Sequence, residues 1–476
     1  MNNSMSEGRN SQDWGIALFL LVSASVIRAY GIGDWGLSFD EYFTYDQAHL
    51  RAGNIINPAY YFLVSNLFHM FGTSEAMARL PALVFACLSV PVFYLTWSSI
   101  IGRRAALLAS ILIVISTWHL WHSQFARFYS AVFFFASLSY YYFYRSIKED
   151  SFLLLCLSGV FLLFAILFHA TAALVGVSFT LFCLYLLCFQ RDSEMFNKIP
   201  KIFLAGCLVV LIASFSYFFT ILDDWQSGEK WGYNSFWILP QLIKYVQIPI
   251  GICAFLGLMN LYKKNTGFFA YVLVALIVQV LFLFVGANFM SVRPDYIYHT
   301  MPLIFVLAGV FLAGVFKGGN PLVAAGVSLL VVSSMLPETL SFFTNKKSLD
   351  IREPVAFMER EYKEGDKVVA FVFGLDTYSE REYDIVPYVG HPYDNAVNWD
   401  KKLGDVVGAE NNRVWLVVQA GRKPYARGLE RWLSCNTNLV WRKNSKRFDY
   451  EVTGFQVYLY SGQPLSGNDL GLCEAK

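Results

Sequence analysis

The stretch "SFLLLCLSGVFLLFAILFHATAALVGVSFTLFCLYLLCF", Ser151 to Phe189, runs for thirty-nine residues without an Asp, Glu, Lys or Arg. A helix crosses a bilayer with about 20 apolar residues. The stretch is therefore too long for one span and long enough for two. His169 is the polar interruption near its middle, and the turn of a membrane hairpin is placed there. A chain containing such a hairpin is a membrane protein, and the rest of the sequence is read on that basis.

Composition agrees. The 476 residues are 56% hydrophobic and only 15% charged, whereas soluble domains average about 45–50% apolar and about 25% charged. Phe (43), Tyr (28) and Trp (12) are abundant, as expected where rings sit at the membrane–water interface. Lys and Arg (37) nearly balance Asp and Glu (35), so nothing in the charge suggests nucleic acid. By length and apolar content, spans fall at roughly 14–32, 77–101, 105–121, 129–145, 151–168, 170–190, 201–222, 236–262, 267–287, 297–316 and 321–340, about eleven in all. The first run is read as a retained span. Ser23-Ala24-Ser25 would tolerate signal cleavage, but only Arg9 precedes the run as a cation and apolar sequence continues to Ile32.

Basic residues orient the chain. With the amino terminus inside, the inner loops hold Arg103, Arg104, Arg145, Lys148, Arg191, Lys198, Lys201, Lys263, Lys264 and Lys317. The outer loops hold Arg51, Arg79, Arg127, Lys230 and Arg293. The excess of cations inside favours this orientation. It requires "PAYYFLVSNLFHMFG" (Pro58–Gly72) to lie in the outer interface as an amphipathic helix rather than cross. The expected division is a membrane domain over 1–343, including an outer loop at 33–76, and an extracytoplasmic α/β domain over 344–476. In the latter, "REPVAFMEREYKEGDKVVAFVFG" reads as a helix, a turn at Gly365-Asp366 and a strand. "NRVWLVVQAG" and "GFQVYLY" read as strands, and "PYARGLERWLSC" as a helix opened by Pro424. Six of the eight cysteines fall in predicted spans. Cys435 and Cys473 lie in the outer domain, where an oxidising compartment would pair them as a disulfide.

Polar groups at membrane depth are costly and tend to be functional. On the outer face they include Asp40, Glu41, His122, Arg127, His169, Lys244, Arg293, Asp295 and His299. Asp40 and Glu41 stand together in "GLSFDEYFTYDQAHL" (Gly36–Leu50). Such a pair can supply a general base or hold a divalent cation; as structure, Asp40 would cap a short helix. Arg127, in "HSQFARFYS" (His122–Ser130), carries a fork suited to phosphate or snorkels to headgroups. Lys244, in "QLIKYVQIP", has the same two readings. A lone His169 at a turn is more often a satisfied structural donor than a ligand or base.

In chain order these pieces resemble membrane glycosyltransferases of the protein O-mannosyltransferase and aminoarabinose-transferase type. The elements are the Asp-Glu pair after the first span, "NPAYYFLVSNLFHMFGTSEAMARLP", and "GRRAALLASILIVISTWHLWHSQFARFYS". The resemblance implies a C-type membrane glycosyltransferase fold. It also implies inverting transfer of a hexose or pentose from a polyprenyl-phosphate donor to an extracytoplasmic hydroxyl on protein, lipid or glycan. By motif, Asp40 is the expected base and Glu41 its helper, with Arg127 and Lys244 expected on the donor phosphate. Tyr42, Asn57, Tyr60, His122, Tyr129, His169 and Arg293 are expected to line the cavity. The implied home is the plasma (inner) membrane, with the C-terminal domain periplasmic in a Gram-negative cell. No cofactor is certain; a divalent metal is possible. Asn57 stands where the family often has His, Phe125 where it often has Glu, and Asp295-Tyr296 where it has Arg-Tyr. These departures leave the acceptor side and any metal site open. The competing class is a flippase or transporter of a lipid-linked glycan. It would need polar residues deep in several helices and often internal repeats, and no repeat is visible.

Overall fold

The computed structural model describes residues 11–49, 58–190, 195, 197–208, 235–288, 292–318, 320–345, 350–372, 375–379, 383–385, 392, 397–407, 413–420, 425–446 and 452–461. The chain divides into two compact units. The first is Met1–Ile32 with Gln47–Thr339; the second is Gly33–Asp46 with Leu340–Lys476.

The first unit is helical: α1 (Ser11–Ala29), α3 (Pro58–Phe71), α4 (Glu75–Ile101), α5 (Arg103–Ile115), α6 (Thr117–Ser123), α7 (Tyr129–Lys148), α8 (Phe152–Phe168) and α9 (Ala173–Phe189). After these come α10 (Ser235–Val246), α11 (Ile248–Lys264), α12 (Thr266–Gly286), α13 (Met301–Gly318) and α14 (Pro321–Asn345). The helix α2 (Phe39–His49) begins in the second unit. Six helices among the described residues are long and apolar enough to cross a membrane, or eight if each of two bent pairs is one span. The expected eleven are not reached there, for identifiable reasons. Tyr129, Tyr140, Tyr141, Tyr142, Tyr144, Arg145 and Lys148 dilute α7, α8 is a short apolar helix, and the span expected at 201–222 is described only to residue 208. The opening stretch turns where expected: His169 ends α8, and its side chain accepts from Thr171 N–H to start the next helix.

The bent pairs matter most. The α5 and α6 axes differ by 61°, and those of α10 and α11 by 92°. A helix break inside a membrane frees backbone groups that water cannot reach, so side chains from neighbouring helices must satisfy them. At the first break, Arg28 Nη2 donates to Ile113 O (2.8 Å), Thr117 N–H donates to Gln247 Oε1 (3.1 Å), and Thr339 Oγ1 donates to Ile115 O (2.7 Å). Gln247 is itself the residue at the second break, with φ 66°. Where α11 crosses α13, a Cβ on Gly257 would lie 1.9 Å from Leu307 O. Only glycine allows that approach.

The second unit carries a mixed five-stranded sheet in the order β2-β1-β3-β5-β4, with β1 Lys367–Ala370, β2 Asp384–Ile385, β3 Val414–Ala420, β4 Asn438–Lys446 and β5 Val452–Tyr460. β1 runs parallel to β2 and β3; β5 is antiparallel to β3 and β4. Strand alternation splits β3 between two cores. Val414, Leu416 and Val418 pack with α16 (Trp399–Val407) and α17 (Arg427–Asn436). Trp415 and Val417 pack with α15 (Arg352–Glu361). Gly365, at the expected turn, has φ 90°. The helix expected to open at Pro424 starts at Arg427, and Pro424 lies outside the described residues. Cys435 is disulfide-bonded; its expected partner, Cys473, lies outside the described residues.

Candidate active site

α6 is a helix of seven residues, about two turns, and every one of them is buried. Ser116 ends α5 and its hydroxyl accepts from His119 N–H, which restarts the helix in a new direction. On α6, Trp118 and His122 are four residues apart and share a face. Both reach Asp295, in the 3₁₀ turn Pro294–Thr300 that precedes α13. Trp118 Nε1 donates to Asp295 Oδ1 (3.1 Å), and His122 Nε2 lies 3.2 Å from the same oxygen. Arg293 Nη2 lies 3.2 Å from Asp295 Oδ2. The carboxylate is 4% exposed, so it is a buried charge met by a guanidinium and the Trp118 indole N–H, with the His122 ring beside it. That is the arrangement burial demands. The His122 ring packs on Tyr129 and Tyr298, each at 4.4 Å between centroids.

Tyr129 leads on to His169, 5.8 Å away between ring centroids, and His169 stacks on Phe128 at 4.4 Å. His169 is half-buried; burial and then the nearby Arg127 guanidinium hold its pKa down to about 3. Its imidazole is neutral at physiological pH. Arg127 lies over the Phe128 ring (4.9 Å) and donates to Tyr61 Oη at 3.3 Å. Arginine, histidine, tyrosine and the Asp295 cluster thus join in one continuous polar and aromatic surface inside the first unit.

Asp40 and Glu41 belong to the second unit. Helix α2 starts at Phe39, so Asp40 is its second residue rather than its cap. The cap position is Ser38. Both Ser38 N–H (2.9 Å) and Ser38 Oγ (3.0 Å) donate to Glu41 Oε2, and Glu41 is fully buried. This is the return half of a capping box. The two adjacent carboxylates therefore differ in environment: Glu41 holds the helix start, and Asp40 is half-buried beside it.

The remaining expected residues are placed as follows. Lys244 is exposed in the last turn of α10. Tyr60 is fully buried and donates to Ala78 O (3.1 Å), a structural tie between α3 and α4. Tyr42 is half-buried on α2. Asn57 lies outside the described residues. Among the described residues, no group of three or more His, Cys, Asp or Glu could hold a metal ion. Trp118, Tyr298 and Tyr61 were not singled out from sequence. For Trp118 the signal was available, in its four-residue spacing from His122. For Tyr298 and Tyr61 only the fold brings them in.

The comparisons bear on this geometry. Residues 57–218 match the family model of dolichyl-phosphate-mannose-protein mannosyltransferases. No curated protein matches by sequence. The fold is similar to ArnT from Cupriavidus metallidurans, solved in the apo state, with TM-score 0.57, 12% identity, 94% of this chain and 98% of that chain covered. It is similar to ArnT from the same organism bound to undecaprenyl phosphate, with TM-score 0.56 and 13% identity over the same shares. It is also similar to the archaeal oligosaccharyltransferase AglB from Archaeoglobus fulgidus, in complex with an inhibitory peptide and a dolichol-phosphate. Here the TM-score is 0.55 at 12% identity, over 86% of this chain and 69% of that chain. The resemblance read from the motifs holds, and the architecture is that of C-type membrane glycosyltransferases.

Proposed function

We propose, from the C-type membrane glycosyltransferase fold of this chain, that the protein transfers a sugar from a polyprenyl-phosphate carrier to a hydroxyl acceptor. The observation that carries the reading is that the family-model match over 57–218 contains the His122, Arg127, Tyr129 and His169 assembly. The structural similarity to a protein bound to undecaprenyl phosphate extends over 94% of the chain.

The acceptor oxygen attacks the anomeric carbon from the face opposite the phosphate, the carbon–oxygen bond to phosphate breaks, and configuration inverts. Asp40 takes the acceptor's proton as general base. Arg127 receives the charge that develops on the departing polyprenyl phosphate. Tyr61 and Phe128 hold its guanidinium in place. The His122–Asp295–Arg293 cluster and neutral His169 line the sugar pocket as hydrogen-bonding groups. Glu41 shapes the helix start rather than reacting. Lys244, exposed, serves the lipid headgroup. The proposal keeps the division read from the sequence: a membrane domain over 1–343 with about eleven spans and an extracytoplasmic domain over 344–476. Transfer takes place on the outer face of the plasma membrane.

The test is lipid mass spectrometry on cells with wild-type protein, no protein, or Asp40→Asn. Accumulation of one polyprenyl-phosphate monosaccharide in both deficient strains is the expected result. If Asp40→Asn restores normal lipids to the deletion strain, Asp40 is not the base; a longer lipid-linked glycan in the deletion strain would then point to a flippase.

A further inference from the structure

The C-terminal unit has no task in the reaction as written, yet it includes Gly33–Asp46, the segment that leads into the helix bearing Asp40. That segment is held at three points within the unit. Arg352 Nη2 donates to Asp34 O (2.6 Å). Leu37 N–H donates to Tyr378 Oη (2.8 Å). At Gly36, an added Cβ would lie 2.5 Å from Asp350 Oδ1, so the backbone passes directly over the Asp350 carboxylate. Between these ties, Trp35 is 1% and Leu37 4% exposed.

The ties are themselves rigidly mounted. Arg352 Nε donates to both Asp350 oxygens, at 2.8 and 3.0 Å, and its backbone N–H donates to Asp350 Oδ1 at 3.1 Å. Ile351, beside them, is buried in the core that includes Trp415 of the sheet. Leu375, which opens the turn carrying Tyr378, is in the same core. One residue beyond Leu37, Ser38 caps α2 through Glu41; two residues beyond Ser38 stands Asp40. Sheet, core, clamp, cap and carboxylate are thus joined through the contacts above.

We propose that Tyr378 and Arg352 are positioning residues for Asp40, and that the C-terminal α/β unit acts in the transfer reaction as the mount of its general base. The proposal rests on the reading of Asp40 as base. A base must sit within hydrogen-bond reach of the acceptor hydroxyl, and a misplacement of about 1 Å can cost on the order of a hundredfold in rate. A capped helix on a mobile lead-in would not meet that tolerance. Tyr378→Phe removes one hydrogen bond of the clamp and keeps the ring; Arg352→Gln removes the tie to Asp34 O and the fork to Asp350.

The experiment uses the full-length protein in detergent. Hydrogen–deuterium exchange of the Asp34–Tyr42 amides is measured for wild type, Tyr378→Phe and Arg352→Gln. Transfer is measured with the lipid extract of the deletion strain as donor, also for Asp40→Asn and for Asp40→Asn with Tyr378→Phe. The expected result is exchange faster by roughly five- to tenfold in that segment alone. Apparent kcat should fall by about tenfold at unchanged donor KM, and Tyr378→Phe should cause no further loss in the Asp40→Asn background. Unchanged exchange and unchanged kcat in both clamp variants, with Asp40→Asn inactive, would overturn the mount and leave the base reading standing. Full transfer by Asp40→Asn would overturn both.

Discussion

Gln247 offers the most direct test of how the broken helices are held. It is 3% exposed and sits at the 92° bend with φ 66° and ψ 125°, a backbone conformation that suits glycine. Three hydrogen bonds hold it there: Thr117 N–H to its Oε1 (3.1 Å), its Nε2 to Thr117 Oγ1 (3.2 Å), and its Nε2 to Glu338 Oε2 (2.7 Å). Gln247→Ala leaves the Thr117 N–H without its acceptor, at about 1–3 kcal/mol. The two side-chain bonds add about 0.6 kcal/mol each, the average for such bonds between membrane helices. The expected loss is about 2–4 kcal/mol. Gln247→Gly loses the same bonds but relieves the backbone strain, and should recover about 1 kcal/mol of that. Glycine should therefore be the more stable variant, opposite to its usual order within helices. The assay is equilibrium unfolding in mixed micelles titrated with dodecyl sulfate, followed by tryptophan fluorescence. If Gln247→Ala lies within about 0.5 kcal/mol of wild type, or Gln247→Gly is the less stable of the two, the account of the break is wrong.

Asp295→Ala removes the carboxylate shared by Trp118, His122 and Arg293 and should cost about 3 kcal/mol in the same assay. Asp295→Asn should cost less, because its amide oxygen still accepts from Trp118. Gly257→Ala puts a methyl group where only 1.9 Å separates it from Leu307 O; unfolding should show a loss of about 3 kcal/mol or more. Arg103→Ala breaks the 2.9 Å pair with Asp13. Since Arg103 is about half exposed, the loss should be under about 1 kcal/mol, read as a small shift of the same transition.

Much of this was legible because membrane chemistry is written in long runs. The Ser151–Phe189 hairpin, the turn at His169 and the strand at Val414–Ala420 follow from length and apolar content alone. The breaks at Ser116 and Gln247 were not read from the sequence. Pro249, at the start of α11, was a local signal for the second; Ser116 has no proline or glycine beside it, and the hydrogen bonds that permit each bend come from residues far along the chain, Arg28, Thr339 and Glu338 among them. The roles of Asp40 and Glu41 divide for a similar reason. "SFDE" contains Ser38 and Glu41 at capping-box spacing, a local signal, but read as a catalytic pair its carboxylates look equivalent. Asp295 was noted as a departure from the Arg-Tyr pattern; that it faces His122 across two elements needs the fold.

The ties within the first unit also fix which of its ends carries the candidate site. Asp13, at the start of α1, pairs with Arg103 at the start of α5 and accepts from Tyr94 Oη. These two helix starts share one end, so the chain between them crosses an even number of times. At the opposite end, Arg79 Nη1 donates to Ile32 O (2.9 Å), and Tyr60 donates to Ala78 O. The exit of α1, the helix α3 and the entry of α4 therefore lie together there. α1 and α4 are the two crossings, and α3, at 14 residues, is short of the roughly 20 that crossing requires. Gln124 joins that second end by donating to Arg28 O and Tyr30 O at 2.7 and 2.8 Å. Gln124 directly follows α6, so the broken helix climbs from the Arg103 end to the Arg28 end. His122, Arg127 and Tyr129 flank Gln124 in the chain, and His169 and Asp295 reach them through the ring and carboxylate contacts above. The whole assembly thus occupies the end opposite the basic pair Arg103-Arg104. With cations favouring the cytoplasmic side, the proposed transfer would take place on the face away from the cytoplasm.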